Sequence, residues 1–255
     1  IKALLLHPAV VPEPNYDVMA EYLTFQFILD DLTLFKGIKK VLPGHCQIID
    51  LQTMKTRTIK YWAPQFTVDT SHTESYFITK LKQLLEDTVR IQMRSDVPMG
   101  TYLSGGMDSS IVTCMAAKMT PLGLETFTGA FAEGTKFNEI KYAREVATAC
   151  GARMHTVIAT CKDFIELMPK LIYHLDEPVA GPGVFPQYIV SRLAAQKVKV
   201  VLGGQGGDEI FGGYARYIVA YLEQALKGAI FETNEEGEHI VSLQSILPNL
   251  PSLKQ

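Results

Sequence analysis

The feature that most constrains this chain is the glycine- and serine-rich stretch SGGMDSS at residues 104–110. It lies between a short apolar run at 97–103 and a helix-like run at 111–119. The glycines allow a sharp turn with exposed amides, and the serines add hydroxyls where a helix N-terminus already favours an anion. A strand, such a turn and a helix in succession form a phosphate cradle. The stretch therefore predicts an α/β fold that binds a nucleotide through its phosphates.

Asp108 makes this prediction more specific, because its carboxylate would repel a phosphate group that had no cation bound to it. Hard divalent cations take oxygen ligands from protein and phosphate alike, so Asp108 predicts a metal ion between the two. The sequence has no Walker A lysine motif, no Gly-x-Gly-x-x-Gly opening a helix and no Gly-x-Ser-x-Gly nucleophile turn. The stretch SGGMDSS is instead similar to the SGGxDSS pattern of the ATP pyrophosphatases (PP-loop enzymes), which cleave ATP between its α and β phosphates.

A second glycine-rich stretch follows another predicted strand. The run KVKVVL at 197–202 predicts a buried strand, and GGQGGDE follows it at 203–209. Dense glycines after a strand indicate close approach of the backbone to a ligand. Asp208 and Glu209 fall at the expected start of the next helix. Ligands of parallel sheets bind beyond the carboxyl ends of the strands, so we expect both stretches to contribute to one pocket.

The remainder of the chain alternates between strand and helix patterns from residue 73 onward, which predicts a parallel sheet covered by helices on both faces. The predicted strands are 101–103, 126–131, 154–158 and 198–202, and the predicted helices are 75–94, 109–119, 138–150, 161–175 and 185–196. Residues 1–64 are rich in proline and contain a hairpin-like stretch at 47–61. The first helix carries an apolar stripe that we expect to face a core, namely Phe77, Leu81, Leu84, Leu85, Thr88 and Ile91.

The composition excludes several classes of protein. The formal net charge is −3 over 255 residues, so no basic surface for nucleic acid is expected. No apolar run is long enough to span a bilayer. The widely spaced cysteines form no Cys-x-x-Cys pair, which indicates reduced, buried thiols in a cytoplasmic protein; they are Cys46, Cys114, Cys150 and Cys161. Ile1 in place of an initiating Met suggests a fragment.

The two glycine-rich stretches together point to a known family. SGGMDSS and LGGQGGDEIFGGYARY resemble the synthetase domain of glutamine-dependent (class B) asparagine synthetases, and the resemblance extends over about residues 1–220. It implies an adenine nucleotide α-hydrolase-like fold preceded by a short, partly β segment. Residues 1–64 would be the tail of a glutaminase domain with its linker, and 65–255 an ATP-pyrophosphatase domain truncated at its C-terminus. The family also allows a homodimer.

The resemblance implies amide formation from an unactivated carboxylate. The side-chain carboxylate of aspartate attacks the α-phosphorus of ATP, giving β-aspartyl-AMP and pyrophosphate, and glutamine-derived ammonia then displaces AMP. In-line attack at phosphorus needs positioning and charge neutralisation more than covalent help from the protein. The expected cofactors are ATP and Mg²⁺, and the expected partners are these small molecules rather than nucleic acid or a membrane.

The same resemblance assigns roles to individual residues. Asp108 and Asp208 would ligate Mg²⁺ on the phosphates, and these two with Gln205 would form the catalytic set. Glu209 would support the second loop. The nucleotide-binding set would be Leu103, Ser104, Gly105, Gly106, Ser109, Ser110, Gly129, Gly203 and Gly204. Contact with the nucleoside, largely through backbone groups, would come from Leu103, Gly129 and Gly204.

Departures from the family pattern leave the function open. Gln205 stands where the family carries an acidic residue, and glutamine neither carries negative charge nor takes up a proton. The N-terminal cysteine of the glutaminase and the lysine of the second step have no counterpart in the sequence. Three hypotheses therefore remain. The first is an asparagine synthetase, the second is a related PP-loop amidotransferase or β-lactam synthetase-like enzyme that adenylates another carboxylate, and the third is a non-catalytic ATP-binding module.

Overall fold

The computed structural model describes residues 1–67, 69–120, 122–132, 139–179, 181 and 183–231. The chain divides into two compact units, each discontinuous in sequence. The first unit comprises Ile1–Ile91, Gly129–Asn138 and His155–Lys197, and the second comprises Gln92–Thr128, Glu139–Met154 and Val198–Gln255.

The order of helices and strands confirms the predicted alternation. The helices are α1 (Lys2–Leu5), α2 (Tyr16–Phe25), α3 (Glu74–Gln92), α4 (Met107–Lys118), α5 (Ile140–Cys150), α6 (Cys161–Leu175), α7 (Val184–Ala194), α8 (Gly207–Phe211) and α9 (Ala215–Phe231). The strands are β1 (His45–Ile49), β2 (Thr56–Lys60), β3 (Met99–Tyr102), β4 (Glu125–Phe131), β5 (Arg153–Ala159) and β6 (Val200–Leu202). Within the described ranges, no helix combines the length and the apolarity needed to cross a membrane.

Four strands form a sheet in the order β5-β4-β3-β6. Strand β3 pairs in parallel with both β4 and β6, and Thr101 is in register with Thr126 on one side and Leu202 on the other. The predicted parallel sheet is thus confirmed. After β3 the chain adds β4 and β5 on one side, and it then returns to add β6 on the other. In open parallel sheets, ligands bind beyond the strand ends at such a switch point.

Strand β6 differs from the prediction of a buried strand. Val200 is 39% exposed, because β6 lies at one edge of the described sheet. Val198, just before the strand, is buried. A run of valines favours a strand whether or not both of its faces are covered, so the pattern identified the strand but not its edge position.

Small residues build the core of the second unit around the end of β3. Leu103, which follows β3, is fully buried against Ala143 and Ala147 of α5. A Cβ at Gly105 would lie 2.9 Å from the Ala143 nitrogen and 2.9 Å from the Glu139 oxygen. Gly105 also has a φ of +98°, so this position requires glycine for two independent reasons. Close packing of α5 therefore fixes the backbone just after β3.

Buried threonines are a second feature of this core. Thr101, Thr113, Thr126 and Thr128 are almost completely inaccessible to solvent. Each hydroxyl has a partner, as a buried polar group requires. The hydroxyls of Thr101 and Thr113 lie 3.0 Å apart and join β3 to α4. The other two hydroxyls donate to backbone carbonyls.

The first unit contains a hairpin and a helical layer. Strands β1 and β2 pair antiparallel, from His45 opposite Lys60 to Ile49 opposite Thr56, which confirms the predicted hairpin. A separate apolar cluster joins β5 to α6 and α7 through Ala159, Leu171, Phe185 and Ile189.

A buried carboxylate anchors the N-terminal segment within the first unit. Glu177 is 8% exposed and accepts a hydrogen bond from the Leu34 amide at 2.7 Å. Its other carboxylate oxygen lies 2.6 Å from the Lys40 ammonium. A buried charge is tolerated when it is both paired and hydrogen-bonded. The segment that precedes the hairpin therefore supplies both of these partners of the Glu177 carboxylate.

Helix α3 forms where it was predicted, but its apolar stripe is not buried. Leu84 is 54% exposed, and Phe77, Leu81 and Ile91 are also exposed, whereas Val89 is buried. Helical periodicity shows that one face is apolar but does not identify what covers that face. The expectation that the stripe faces a core is therefore wrong for the described residues.

The cysteines are not the buried residues that were expected. Cys46 and Cys161 are exposed, and Cys114 and Cys150 are partly buried. Burial, together with a hydrogen bond to Cys114, raises the pKa of the Cys150 thiol to about 11. That thiol is therefore neutral at pH 7.

Helix α6 begins with a capping box whose contribution to stability can be measured. The Thr160 hydroxyl accepts a hydrogen bond from the Asp163 amide at 3.1 Å, and the Asp163 carboxylate accepts one from the Thr160 amide at 3.0 Å. We expect Thr160→Ala to lower the free energy of unfolding by about 1 kcal/mol, as measured by urea denaturation. Thr148→Ala is the control, because its hydroxyl bonds a carbonyl of its own helix. Equal stability of the two variants would contradict the capping role.

Candidate nucleotide-binding site

The first glycine loop, residues 103–106, connects β3 to α4 and is held in shape by serines. The Ser104 amide donates to Ser109 Oγ at 3.2 Å, and the two hydroxyls lie 2.9 Å apart. The Gly106 amide donates to Ser104 Oγ at 3.2 Å. Ser109 and Ser110 donate their hydroxyl protons to the Gly106 carbonyl at 3.1 and 2.7 Å. The three predicted serines thus lie together at the start of α4.

The N-terminus of α4 is suited to an anion. Gly106 is its N-cap residue and has no side chain that could accept a hydrogen bond from the first amides. These amides have no acceptor within the helix, and the helix dipole adds partial positive charge there. A phosphate group can supply the missing acceptors.

The second glycine loop, residues 203–206, touches the N-terminal turn of α4 at Gly204. A Cβ at Gly204 would lie 2.7 Å from the Ser109 nitrogen and 2.8 Å from the Asp108 carbonyl carbon. These are backbone atoms, which cannot rotate away as a side chain can, so only glycine fits. The structure therefore brings the two glycine-rich stretches together beyond the ends of the paired strands β3 and β6.

The two predicted metal ligands occupy neighbouring positions in this arrangement. The Asp108 carboxylate lies against Gly207 and occupies the space that a Cβ of this residue would fill. Gly207 is the first residue of α8, and Asp208 follows it directly. The Asp208 carboxylate in turn contacts Gly213. Asp108 thus reaches from α4 to the start of the helix that carries Asp208.

Asp108 and Asp208 alone would not complete the coordination of a metal ion. No cluster of three or more His, Cys, Asp or Glu side chains able to hold a metal ion occurs among the residues that the structure describes. An Mg²⁺ ion at Asp108 and Asp208 would therefore take its other ligands from phosphate oxygens and water, which is how Mg²⁺ commonly binds in nucleotide sites. The metal-binding role of these carboxylates stays a prediction.

Gln205 lies in the second loop and is exposed. Its side-chain oxygen is 2.5 Å from the position that a Cβ of Gly203 would occupy. The amide therefore folds back over its own loop, and Gly203 must lack a side chain to allow this. The catalytic role of Gln205 stays a prediction.

A hydrogen-bonded aromatic cluster follows the second loop. The Tyr214 hydroxyl donates to Glu209 at 2.9 Å, and the Arg216 guanidinium lies 4.4 Å from the centre of the Tyr214 ring. Backbone hydrogen bonding, together with the bond from Tyr214, lowers the pKa of Glu209, and the same bond raises the pKa of Tyr214. Glu209 thus stabilises the turn between α8 and α9, and its support of the second loop stays a prediction.

Two residues predicted to contact the nucleoside have other contacts in the structure. Leu103 donates its amide to the Phe127 carbonyl at 3.0 Å and accepts a bond from the Thr128 hydroxyl at 2.6 Å. Gly129 belongs to the first unit, where a Cβ would lie 2.7 Å from Val190 Cγ2 on α7. Packing against α7 is therefore a sufficient reason for glycine at this position. The nucleoside contacts of both residues stay predictions.

Sequence reasoning missed two residues that shape this region. Gly207 accommodates the Asp108 carboxylate, and Thr128 bonds the carbonyl that opens the first loop. Gly207 could have been singled out because it directly precedes Asp208. Thr128 could have been noticed as a polar residue within a strand whose other positions are mostly apolar.

Comparison with known proteins places this chain in a family. The model of the family described as asparagine synthase matches residues 80–245. The chain belongs to the asparagine synthase family. Members include glutamine-hydrolysing asparagine synthetase 1 of Bacillus subtilis, which is 36% identical over 210 residues, or 80% of this chain and 32% of that protein. Asparagine synthetase B of Escherichia coli is 34% identical over 148 residues, or 53% of this chain and 27% of that protein.

The resemblance noted from the two glycine-rich stretches is thus confirmed at the level of the asparagine synthase family. The chain spans about a third of the length of several curated relatives that it matches. Among solved structures, the NH3-dependent NAD synthetase of Campylobacter jejuni gives a TM-score of 0.38 at 13% identity, covering 69% of this chain and 84% of that one.

Proposed function

We propose that this chain is the ATP-binding part of an asparagine synthetase that converts aspartate, ATP and glutamine-derived ammonia into asparagine, AMP and pyrophosphate. The observation that carries the proposal is the contact of Gly204 with Asp108 and Ser109, which joins two glycine loops beyond adjacent parallel strands. Family membership and the names of the relatives support the choice of reaction.

The phosphates of ATP would bind at the N-terminus of α4. Amides of Gly105 and Gly106 would donate to the β- and γ-phosphates, where the helix dipole adds to the attraction. The hydroxyls of Ser104, Ser109 and Ser110 would exchange part of their bonding within the loop for phosphate oxygens. Asp108 and Asp208 would ligate Mg²⁺, which offsets the charge of the departing pyrophosphate.

The chemical steps need little covalent help from this chain. A carboxylate oxygen of aspartate would form a bond to the α-phosphorus while the bond to pyrophosphate breaks, giving β-aspartyl-AMP. Ammonia would then attack the acyl carbon, lose a proton and displace AMP. The contribution of the described residues is to position the nucleotide and neutralise charge, which is the main requirement of phosphoryl and adenylyl transfer.

Pyrophosphate release tests this proposal. The protein that contains this whole chain would be supplied with Mg·ATP and ammonia, with and without aspartate, and asparagine would be quantified by chromatography. We expect release that depends on aspartate, with asparagine formed in equal amount. Binding of Mg·ATP without aspartate-dependent release would contradict aspartate as the substrate.

A second candidate is a related amidotransferase or β-lactam synthetase-like enzyme that adenylates a different carboxylate. Gln205 favours this candidate, because a neutral amide stands where the family resemblance implies an acid. The same substitution supports the third hypothesis, a non-catalytic ATP-binding module. Pyrophosphate release with other carboxylates distinguishes the two, since the module would release none.

Gln205→Glu provides a direct test of the substituted position. If an acidic group assists adenylate formation from aspartate, restoring it should raise aspartate-dependent ATP–pyrophosphate exchange by at least about tenfold, since acid–base assistance commonly contributes more than this. Gln205→Met keeps the size of the side chain without a charge and serves as the control. If Gln205→Glu shows no increase in this exchange, another group performs the role that the acidic residue has in the family.

The proposed organisation of the chain follows the family. Residues 1–64 would be the tail of a glutaminase domain with its linker, and residues 65–255 an ATP-pyrophosphatase domain. A cytoplasmic location, reduced thiols and a homodimeric assembly are proposed for the complete protein on the same basis.

A further inference from the structure

Both polar groups of the Leu103 backbone are engaged by β4. Its amide donates to the Phe127 carbonyl at 3.0 Å, and its carbonyl accepts the Thr128 hydroxyl at 2.6 Å. Leu103 is 0% exposed and Thr128 is 1% exposed, so no water competes for either bond. The hydroxyl bond lies one residue beyond β3, where the regular pairing with β4 ends.

The carbonyl of Leu103 belongs to the same peptide plane as the amide of Ser104. That amide donates to Ser109 Oγ at 3.2 Å, and Ser109 in turn donates to the Gly106 carbonyl. Because a peptide unit is planar, a bond that orients its carbonyl also orients its amide. The Thr128 hydroxyl therefore helps to orient the Ser104 amide, and through that amide it supports the hydrogen bonds within the first loop.

We propose that Thr128 is a positioning residue for the nucleotide loop, and that its hydroxyl sets the affinity for Mg·ATP through the Leu103–Ser104 peptide. The inference rests on the proposed ATP-binding role of this loop. Thr128 itself is buried on β4 and does not need to touch the nucleotide. Loss of its hydroxyl would leave the Leu103 carbonyl buried without this donor, and the peptide would then be held only by the bond from the Ser104 amide to Ser109.

Thr128→Val tests the proposal, since valine keeps the branched shape and removes the donor. We expect the KM for Mg·ATP to rise about tenfold, as the loss of one buried hydrogen bond would cause, with the KM for aspartate unchanged. Thr128→Ser, which keeps the hydroxyl, should restore most of the affinity. If Thr128→Val does not fold, Thr128→Cys offers a similar shape with a much weaker donor.

The chain supplies a matched control on the same strand. Thr126 is equally buried, but its hydroxyl donates to the Arg153 carbonyl at 3.3 Å, away from the loop. Thr126→Val should lower thermal stability without changing the KM for Mg·ATP. Equal effects of Thr126→Val and Thr128→Val on the KM, or no effect of Thr128→Val, would overturn the proposal.

Equilibrium binding separates this inference from the proposed reaction. Affinity for Mg²⁺ with a non-hydrolysable ATP analogue, measured by calorimetry, does not depend on which carboxylate is activated. Weaker binding by Thr128→Val would support the positioning role even if aspartate-dependent pyrophosphate release were absent. Unchanged binding would overturn that role even if the protein proved to be an asparagine synthetase.

Discussion

Replacing Asp108 with alanine is expected to reduce aspartate-dependent pyrophosphate release by at least about 100-fold, the range typical for loss of a charge-stabilising group at a reacting centre. The Asp108 carboxylate extends to Gly207, the residue before Asp208, and in the proposed site the two carboxylates would share one Mg²⁺ ion. Without it, Mg²⁺ on the phosphates would lose one of its two protein ligands. Asp208→Ala should have a similar effect for the same reason.

The measurement is the Mg²⁺ dependence of ATP binding and of pyrophosphate release, with circular dichroism to verify folding. Asp108→Asn is the more informative variant, because asparagine keeps the size of a side chain that lies tightly against Gly207. Asp96→Ala is a matched control, since Asp96 is an exposed carboxylate of the same unit. Wild-type Mg²⁺ dependence in Asp108→Asn would remove this residue from the metal site.

Gly204→Ala is expected to have the second large effect. The added methyl group would lie 2.7 Å from the Ser109 nitrogen and 2.8 Å from the Asp108 carbonyl carbon, which is far inside van der Waals contact. Relief requires the two loops to move apart, and a displacement of about 1 Å at a reacting centre can reduce the rate about 100-fold. Both kcat and the affinity for Mg·ATP should fall, because the Ser109 amide is also obstructed.

Gly183→Ala is the matched control for this substitution. Among the described residues, nothing beyond its chain neighbours lies within 4 Å of a Cβ placed at Gly183, so the variant should retain activity and stability. Activity assays and thermal denaturation of both variants would be compared. Full activity of Gly204→Ala would show that contact between the two loops is not needed for function.

The positions of the two glycine loops could be predicted from the sequence because their constraints are local. A turn that needs Gly105 at a φ of +98°, between a strand and a helix, can be recognised from a few consecutive residues. The meeting of the two loops also followed, since parallel strands of one sheet end on the same side. The contact of Gly204 with the start of α4, by contrast, came from the structure.

Other features depend on what lies beside an element, and sequence periodicity does not contain that information. Helix α3 was correctly placed, yet Leu84 is exposed, because an apolar stripe specifies a face and not its partner. Val200 is likewise exposed, since an edge strand and a central strand can share the same valine-rich pattern. The role of Thr128 required the register of β3 against β4, which only the structure supplies.

The anchoring of Glu177 has a consequence for how the protein unfolds. Its buried carboxylate accepts a hydrogen bond from the Leu34 amide and pairs with the exposed Lys40 ammonium, so residues on both sides of the proposed boundary at 64/65 are joined through one carboxylate. Cooperative units in proteins follow such contacts rather than divisions of the sequence. In native-state hydrogen exchange, the Leu34 amide should therefore become labile together with amides around Glu177. The proposed domain boundary at 64/65 would then lie inside a single cooperative unit of unfolding.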